Sequence, residues 1–319
     1  MNSLLNYIGH KSKIVEQIKR YFPPTVTGTF YDCFAGSCVV GLSVRYEKIV
    51  CVELNPYLSR LYHDLSDTQF LTELNQIITS YNLTNSSVTP RSEYLKNPDI
   101  GTVQWMGETI SNLHLDQLNK PGYTKLIQDF NQNLFSGVAR SAAYMIATIY
   151  GRNSNVSTDL STGKLSGGVG PLDYSIRCSE KLTEHQAVLL LGRHTFVHGS
   201  YDSITPTSDD FCYFDPPYLA SGFRYGGWSE SDERGLVDWI DGLPCDWALS
   251  NTLQSGTRVN HILTEWCQNK IVIELAKKYR KWASSGNKTV ERVSKINKEV
   301  LVLSYEPILF ETGSTKLLD

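Results

Sequence analysis

Asp215-Pro216-Pro217-Tyr218 follows directly on the apolar run Phe211, Cys212, Tyr213 and Phe214. Each proline lacks an N–H and has a restricted φ, so the pair ends a strand and stiffens the backbone beyond it. The Asp215 carboxylate and the Pro216 carbonyl then form two neighbouring acceptors, which match the two donors of an exocyclic amine. Tyr218 adds an aromatic face on which a base can stack, worth roughly 1–3 kcal/mol. A purely structural turn is the alternative reading of the same four residues.

Tyr31-Asp32-Cys33-Phe34-Ala35-Gly36-Ser37 forms a second group. Gly36 lets a ligand approach the backbone closely. A helix expected over Val39 to Tyr46 would turn its N-terminus toward a carboxylate. Glu53 falls at the end of the next apolar run, where an acid can accept both hydroxyls of a ribose. Turn and acid together suggest a nucleoside ligand. G-x-G-x-x-G and G-x-x-x-x-G-K-[ST] are both missing, which disfavours NAD and ATP.

These residues need a parallel α/β framework. Ile14, Val15 and Ile18 make the stripe of a first helix. Strand signals cover Thr29–Phe34, Lys48–Glu53, Thr195–His198, Phe211–Phe214, Trp247–Ser250, Lys270–Glu274 and Val300–Tyr305. Between residues 65 and 190 the texture is helical, as in Tyr123–Tyr150, with polar breaks. Gly151 to Gly170 is rich in Ser, Thr, Asn and Gly and is predicted as loop. The expected fold is a sheet domain of residues 1–64 and 191–319, interrupted by a mostly helical domain of residues 65–190.

The chain has 319 residues, a net charge of −3 and 41% hydrophobic residues, which is ordinary globular composition. No basic-then-apolar start and no apolar run of ~18 residues occurs, so a cytoplasmic protein without membrane association is expected. The 7 cysteines are scattered and form no C-x-x-C pair, against a disulfide framework or a zinc site. His194 and His198 are four apart on a strand, which is not the helix-face spacing of metal pairs, and no metal is expected. With so weak a net charge, a nucleic-acid partner requires locally gathered cations. Lys277, Lys278, Arg280, Lys281, Lys288, Arg292, Lys295 and Lys298 are so gathered, with Tyr279 and Trp282 among them. A solvated charged face is the alternative.

The ordered set of motifs resembles the Dam-type, or D12 class, DNA adenine-N6 methyltransferases. Leu5-Asn6-Tyr7-Ile8-Gly9-His10-Lys11 is similar to that family's G-G-K lead-in. Asp32 to Ser37 resembles its cofactor loop, Glu53-Leu54-Asn55 its ribose acid, and Asp215-Pro216-Pro217-Tyr218 its catalytic motif. Leu249-Ser250-Asn251 and Lys298-Glu299-Val300-Leu301 also fit, and Tyr150-Gly151-Arg152-Asn153 resembles the start of its target-recognition region. Some positions depart from the pattern. His10 replaces a second glycine, Cys33 a common proline and Cys38 the second glycine of the loop. Ser200 stands where an acid meets the cofactor adenine, with Asp202 the candidate in its place.

The resemblance implies a Rossmann-like methyltransferase sheet with an inserted target-recognition domain. It also implies methyl transfer from S-adenosylmethionine to N6 of an adenine flipped out of specific double-stranded DNA. Asp215, Pro216, Pro217 and Tyr218 would be catalytic. Tyr7 and Lys11 would lie by the methionine part, with Asp32, Phe34, Gly36 and Ser37 on the loop, Glu53 at the ribose and Asp202 near the adenine. Arg152 and Asn153 would read bases, because Arg pairs well with guanine and Asn with adenine. Lys277, Lys278, Arg280, Lys281 and Lys288 would meet phosphates. A bacterial or phage source and a cognate restriction endonuclease are compatible with this picture. Cytosine-N4 methylation and a catalytically silent DNA-binding relative are the competing readings. A protein-methylating enzyme is a third, for which Asn would be expected before the two prolines.

Overall fold

The computed structural model describes residues 3–5, 11–94, 104–105, 108–109, 115–159, 161–221, 227–275 and 297–308. Tyr7 and the cations Lys277, Lys278, Arg280, Lys281 and Lys288 lie outside them. The chain is a mixed α/β protein built on a mostly parallel sheet.

Its principal strands are β1 (Phe30–Asp32), β2 (Ile49–Glu53), β3 (His194–His198), β4 (Phe211–Phe214), β5 (Asp246–Ser255), β6 (Ile271–Glu274) and β7 (Asn297–Leu303). Across the sheet they run in the order β6-β7-β5-β4-β1-β2-β3, and a short strand at Arg258–Val259 folds back on β5. Strand β7 is antiparallel to both β5 and β6. The pairs β1–β2, β1–β4, β2–β3 and β4–β5 are parallel. From β1 the chain steps outward to β2 and β3, then returns to place β4 on the other side of β1. The order therefore reverses between β1 and β4, and open parallel sheets bind ligands beyond the strand ends at such a point. Asp32 lies in register with Tyr213 there.

Strand burial follows the period of two. Phe30, Phe211 and Tyr213 join one core cluster, while Cys212, Phe214, Trp247 and Leu249 join another on the opposite face. Both faces of β4 are covered, so its four residues are all buried and read as an uninterrupted apolar run. Phe22 packs into the first face, with its ring centroid 5.6 Å from Phe30, 5.3 Å from Phe211 and 5.4 Å from Tyr213. Helices α8 (Glu230–Asp241) and α9 (His261–Trp266) cover the second face.

The other helices described are α1 (Val15–Lys19), α2 (Pro56–Leu65), α3 (Phe70–Ser80), α4 (Arg91–Tyr94), α5 (Leu115–Asn131), α6 (Gly137–Tyr150) and α7 (Ile176–Leu189), of which α2 packs against β3. Helix α6 is buried from Ser141 to Tyr150 and packs against α2, α3 and α5. The Gly151–Gly170 stretch, expected as loop, carries a small hairpin. Ser157–Thr158 pairs with Leu165–Ser166, and Asp159 caps the turn by accepting from Ser161 and Thr162.

The helix expected over Val39 to Tyr46 is not formed. A 3₁₀ turn at Gly41–Ser43 stands in its place. Val39, Val40, Gly41 and Val44 are weak helix formers, and the Gly41 N–H is taken by the Asp32 carboxylate. No helix among the described residues is long and apolar enough to cross a membrane.

Candidate active site

The end of β4 delivers Asp215 to the reversal point. Its Oδ2 lies 2.5 Å from the Lys11 ammonium, with the two side chains 17% and 6% exposed. The Tyr218 hydroxyl is 3.1 Å from Asp215 Oδ1 and 3.1 Å from Glu299 Oε1, and Glu299 reaches it from β7. The Lys11 ammonium is also 4.9 Å from the centre of the Tyr218 ring, within cation–π range. Pro216 is buried and Pro217 half-buried behind the carboxylate.

Burial pushes the Asp215 carboxyl above its ordinary range, Lys11 opposes that rise, and the Glu299 charge adds to it. Burial beside Asp215 and Glu299 drives the Tyr218 phenol far up, so it remains a neutral donor.

Asp32, at the tip of β1, is 2% exposed. Its Oδ2 accepts from the Gly41 N–H at 2.9 Å. Burial lifts its carboxyl to about 7, with the neighbouring charges of Asp215 and Glu53 adding to the effect. Glu53 ends β2 just before Asn55, whose side chain caps α2 by accepting from Tyr57 N–H. The two Glu53 oxygens accept from the amides of Gly36 and Asn55, both at 2.8 Å. Burial raises this carboxyl too.

The loop between β1 and the 3₁₀ turn bends through left-handed residues, Gly36 at φ 48° and Cys38 at φ 51°. Cysteine bears the steric cost of that conformation where glycine would not. The Ser37 carbonyl accepts from the Tyr62 hydroxyl at 2.7 Å, which fixes the loop on α2.

Phe34 leaves the same loop and stacks on Tyr201 at 5.4 Å, with Trp228 edge-on at 5.8 Å. The Trp228 indole N–H donates to Glu233, whose carboxylate also accepts from the Asn251 and Asn260 amides. Asp202 sits on an exposed 3₁₀ turn, Tyr201–Ser203, beside this aromatic group. Arg152 and Asn153 are exposed on the turn that follows α6, where Asn153 takes a left-handed φ of 60°. His194 and His198 each bond a backbone carbonyl, of Gly41 and Leu54 respectively.

Lys11, Asp32, Gly36, Glu53, Asp215 and Tyr218 thus surround the β1 and β4 tips. Several sequence-distant contacts were not foreseen: the Lys11–Asp215 pair, the Glu299–Tyr218 contact and the Glu233 knot. Of the partners in these contacts to which the sequence assigns no role, Asn251 and Glu299 lie within marked stretches, whereas Trp228, Glu233 and Asn260 do not.

Chemically, three carboxylates with raised proton affinity converge on strand tips where Lys11 is the cation among the described residues. A ligand bringing positive charge relieves that excess. Glu53 accepts one amide on each oxygen and retains lone pairs for a diol. The donor set therefore fits a cationic nucleoside.

A sheet of this order, with an Asp-Pro-Pro-Tyr tip beside acids on β1 and β2, is consistent with a methyltransferase fold. Residues 7–280 match the model of the D12 class N6 adenine-specific DNA methyltransferase family, and the chain belongs to that family. It is 25% identical to the modification methylase StsI of Streptococcus sanguinis over 99% of this chain and 45% of that protein. It is 24% identical to the type II methyltransferase M.FokI of Planomicrobium okeanokoites over 96% of this chain and 43% of that one. It is 22% identical to the retron Ec67 DNA adenine methylase of Escherichia coli over 76% of this chain and 73% of that protein. The chain thus spans less than half the length of the first two relatives.

Proposed function

We propose that the chain transfers a methyl group from S-adenosylmethionine to N6 of an adenine extruded from a specific double-stranded DNA sequence. The observation that carries this reading is Asp215, held by Lys11 and Tyr218 at the β4 tip beside the acids of β1 and β2. Family membership supports the same reading.

The bound cofactor supplies an electrophilic methyl on a sulfonium. Asp32 and Glu53 complement its positive charge and its ribose hydroxyls, Gly36 and Ser37 bring backbone close to it, and Phe34 packs by its adenine. Tyr7 and Asp202 complete the proposed cofactor contacts. Flipping the base costs a few kcal/mol, part of which stacking on Tyr218 returns. The adenine amine is a poor nucleophile because its lone pair is delocalised into the ring. Asp215 and the Pro216 carbonyl accept its two hydrogens, so the nitrogen can rehybridise and direct the lone pair at the methyl group. Pro217 stiffens the turn that carries both acceptors. The Asp215 charge stabilises the positive charge that grows on nitrogen, by preorganised electrostatics. Lys11 keeps Asp215 ionised and oriented until the amine arrives.

Target recognition is assigned to residues 65–190, inserted between the sheet segments 1–64 and 191–319. Within it Arg152 and Asn153 read base edges. Lys277, Lys278, Arg280, Lys281 and Lys288 bind phosphates. A cytoplasmic location and a cognate restriction endonuclease belong to the same proposal; the relatives' names support the latter.

The test is Asp215→Ala in a transfer assay with labelled cofactor and duplex DNA, together with mass analysis of the product nucleosides. Loss of nearly all transfer with cofactor binding retained, and N6-methyladenine as the wild-type product, are expected. N4-methylcytosine, or full activity of the variant, overturns the proposal. A protein that binds DNA and never transfers the label would be the silent relative.

A further inference from the structure

Tyr218 lies between two carboxylates. Its hydroxyl is 3.1 Å from Asp215 Oδ1 and 3.1 Å from Glu299 Oε1. A phenol carries one proton, so it donates to one carboxylate at a time. Glu299 is 2% exposed and lies in β7 opposite Thr252 of β5, next to a register shift between Thr252 and Gln254. Lys11 holds the other oxygen of Asp215. The result is a chain, Lys11–Asp215–Tyr218–Glu299, with one end on the lead-in and the other on the sheet.

We propose that Glu299 is a positioning residue for the transfer reaction: it shares the Tyr218 hydroxyl with Asp215 and fixes that hydroxyl beside the Asp215 carboxylate, and so sets the stacking ring. This inference rests on the function proposed above. An aromatic ring hinged only at its own backbone can swing. One tethered at its hydroxyl by a buried strand residue presents a fixed face to the base. Glu299 also acts on Asp215 through charge. The groups facing Asp215 among the described residues are Lys11 from the lead-in, Asp32 from β1, Tyr213 from β4, Tyr218 and Glu299. Of these, Glu299 raises the Asp215 carboxyl and Lys11 lowers it.

The experiment uses the full chain, duplex DNA and labelled cofactor, with kcat, KM for DNA, cofactor affinity and the pH profile of kcat measured for each variant. Glu299→Ala is expected to lower kcat about 10- to 100-fold while leaving cofactor affinity within about twofold. Glu299→Gln keeps a side chain that can bond the phenol and is expected to recover most of that loss. It also removes a negative charge beside Asp215, so the acid limb of the profile moves to lower pH. A Glu299 whose charge does not reach Asp215 leaves that limb in place, and a merely structural Glu299 gives additive losses with Tyr218→Phe. In a Tyr218→Phe background, which lacks the bridging hydroxyl, Glu299→Ala is expected to cause little further loss of kcat, as coupled neighbours behave.

A wild-type kcat for Glu299→Ala, an unmoved acid limb for Glu299→Gln, or additive losses in the double variant would each overturn the inference. If Glu299→Ala does not melt cooperatively, Glu299→Gln alone and in the Tyr218→Phe background decides, by the same non-additivity of kcat. Asp215→Ala is measured alongside. An active Asp215→Ala overturns the proposed function. An inactive one beside wild-type behaviour of the Glu299 variants overturns only the positioning role.

Discussion

The Lys11 ammonium lies 2.5 Å from Asp215 Oδ2, although 204 positions separate the two residues in the chain. Lys11 therefore reaches the β4 tip and supplies a counter-charge that opposes the upward push of burial on the carboxyl.

That pair predicts a pH effect. In the proposed reaction Asp215 must be ionised to accept the amine hydrogens. Lys11 lowers its carboxyl pKa against the upward push of burial. Replacing Lys11 with Met removes the opposing charge, so the Asp215 pKa rises further and the acid limb of the kcat profile moves to higher pH. A profile that coincides with wild type refutes the assignment. The move is opposite in direction to that expected for Glu299→Gln.

Asp32 predicts a dependence of stability on pH. Its carboxyl is lifted from 3.8 to about 7 in the folded chain. Below pH 4 both folded and unfolded forms hold the proton, and the contribution to stability is fully present. As pH rises from about 4 through about 7 the unfolded form ionises first, and that contribution is lost, up to about 4 kcal/mol. Asp32→Asn keeps the acceptor for Gly41 N–H and removes the ionisation. Thermal melts of the cofactor-free protein should therefore show wild type losing ground to Asp32→Asn across this interval. Parallel curves for the two proteins count against the buried acid.

Glu53 should matter for the cofactor more than for chemistry. Glu53→Ala is expected to weaken cofactor affinity by several-fold or more, measured by isothermal titration, because the proposed acceptor of both ribose hydroxyls is gone. Unchanged affinity would place the ribose elsewhere.

The Glu233 knot predicts a loss of stability. Glu233 is 0% exposed and accepts from Trp228, Asn251 and Asn260 at 2.7, 3.0 and 2.7 Å. Burial raises its carboxyl, and those three donors oppose the rise. Glu233→Ala leaves two buried amides and the partly buried Trp228 N–H without their acceptor and opens a cavity, at a cost of about 2–4 kcal/mol. Urea titration should show the midpoint falling with the slope unchanged. A midpoint within error of wild type would deny the knot its structural role.

Much of the proposed site could be read from local sequence. Asp215-Pro216-Pro217-Tyr218 after four apolar residues announced a strand tip, and β4 ends at Phe214. Glu53 was expected at a strand end and closes β2. Gly36 was expected in a turn and takes a left-handed φ. The helix expected after that turn does not form, because residue patterns at 39–46 do not reveal that Asp32 captures the Gly41 N–H. The hairpin within Gly151–Gly170 was missed for a similar reason. Its two-residue strands are held by the Asp159 turn and by the Gly151–Val169 bridge rather than by any apolar alternation.

What the sequence determined by itself were the features set by neighbours along the chain: where strands end, which acids stand at those ends, and the order of the motifs. Proline geometry, two-residue alternation and helix capping act over a few positions, so their outcome is written locally. The tertiary structure alone decided which ends meet. Reversal of strand order between β1 and β4 places Asp32 beside Asp215, Lys11 pairs with that carboxylate, and β7 carries Glu299 to Tyr218. Those pairings depend on sheet order and on burial, which raises the proton affinity of an acid only once the chain has closed around it.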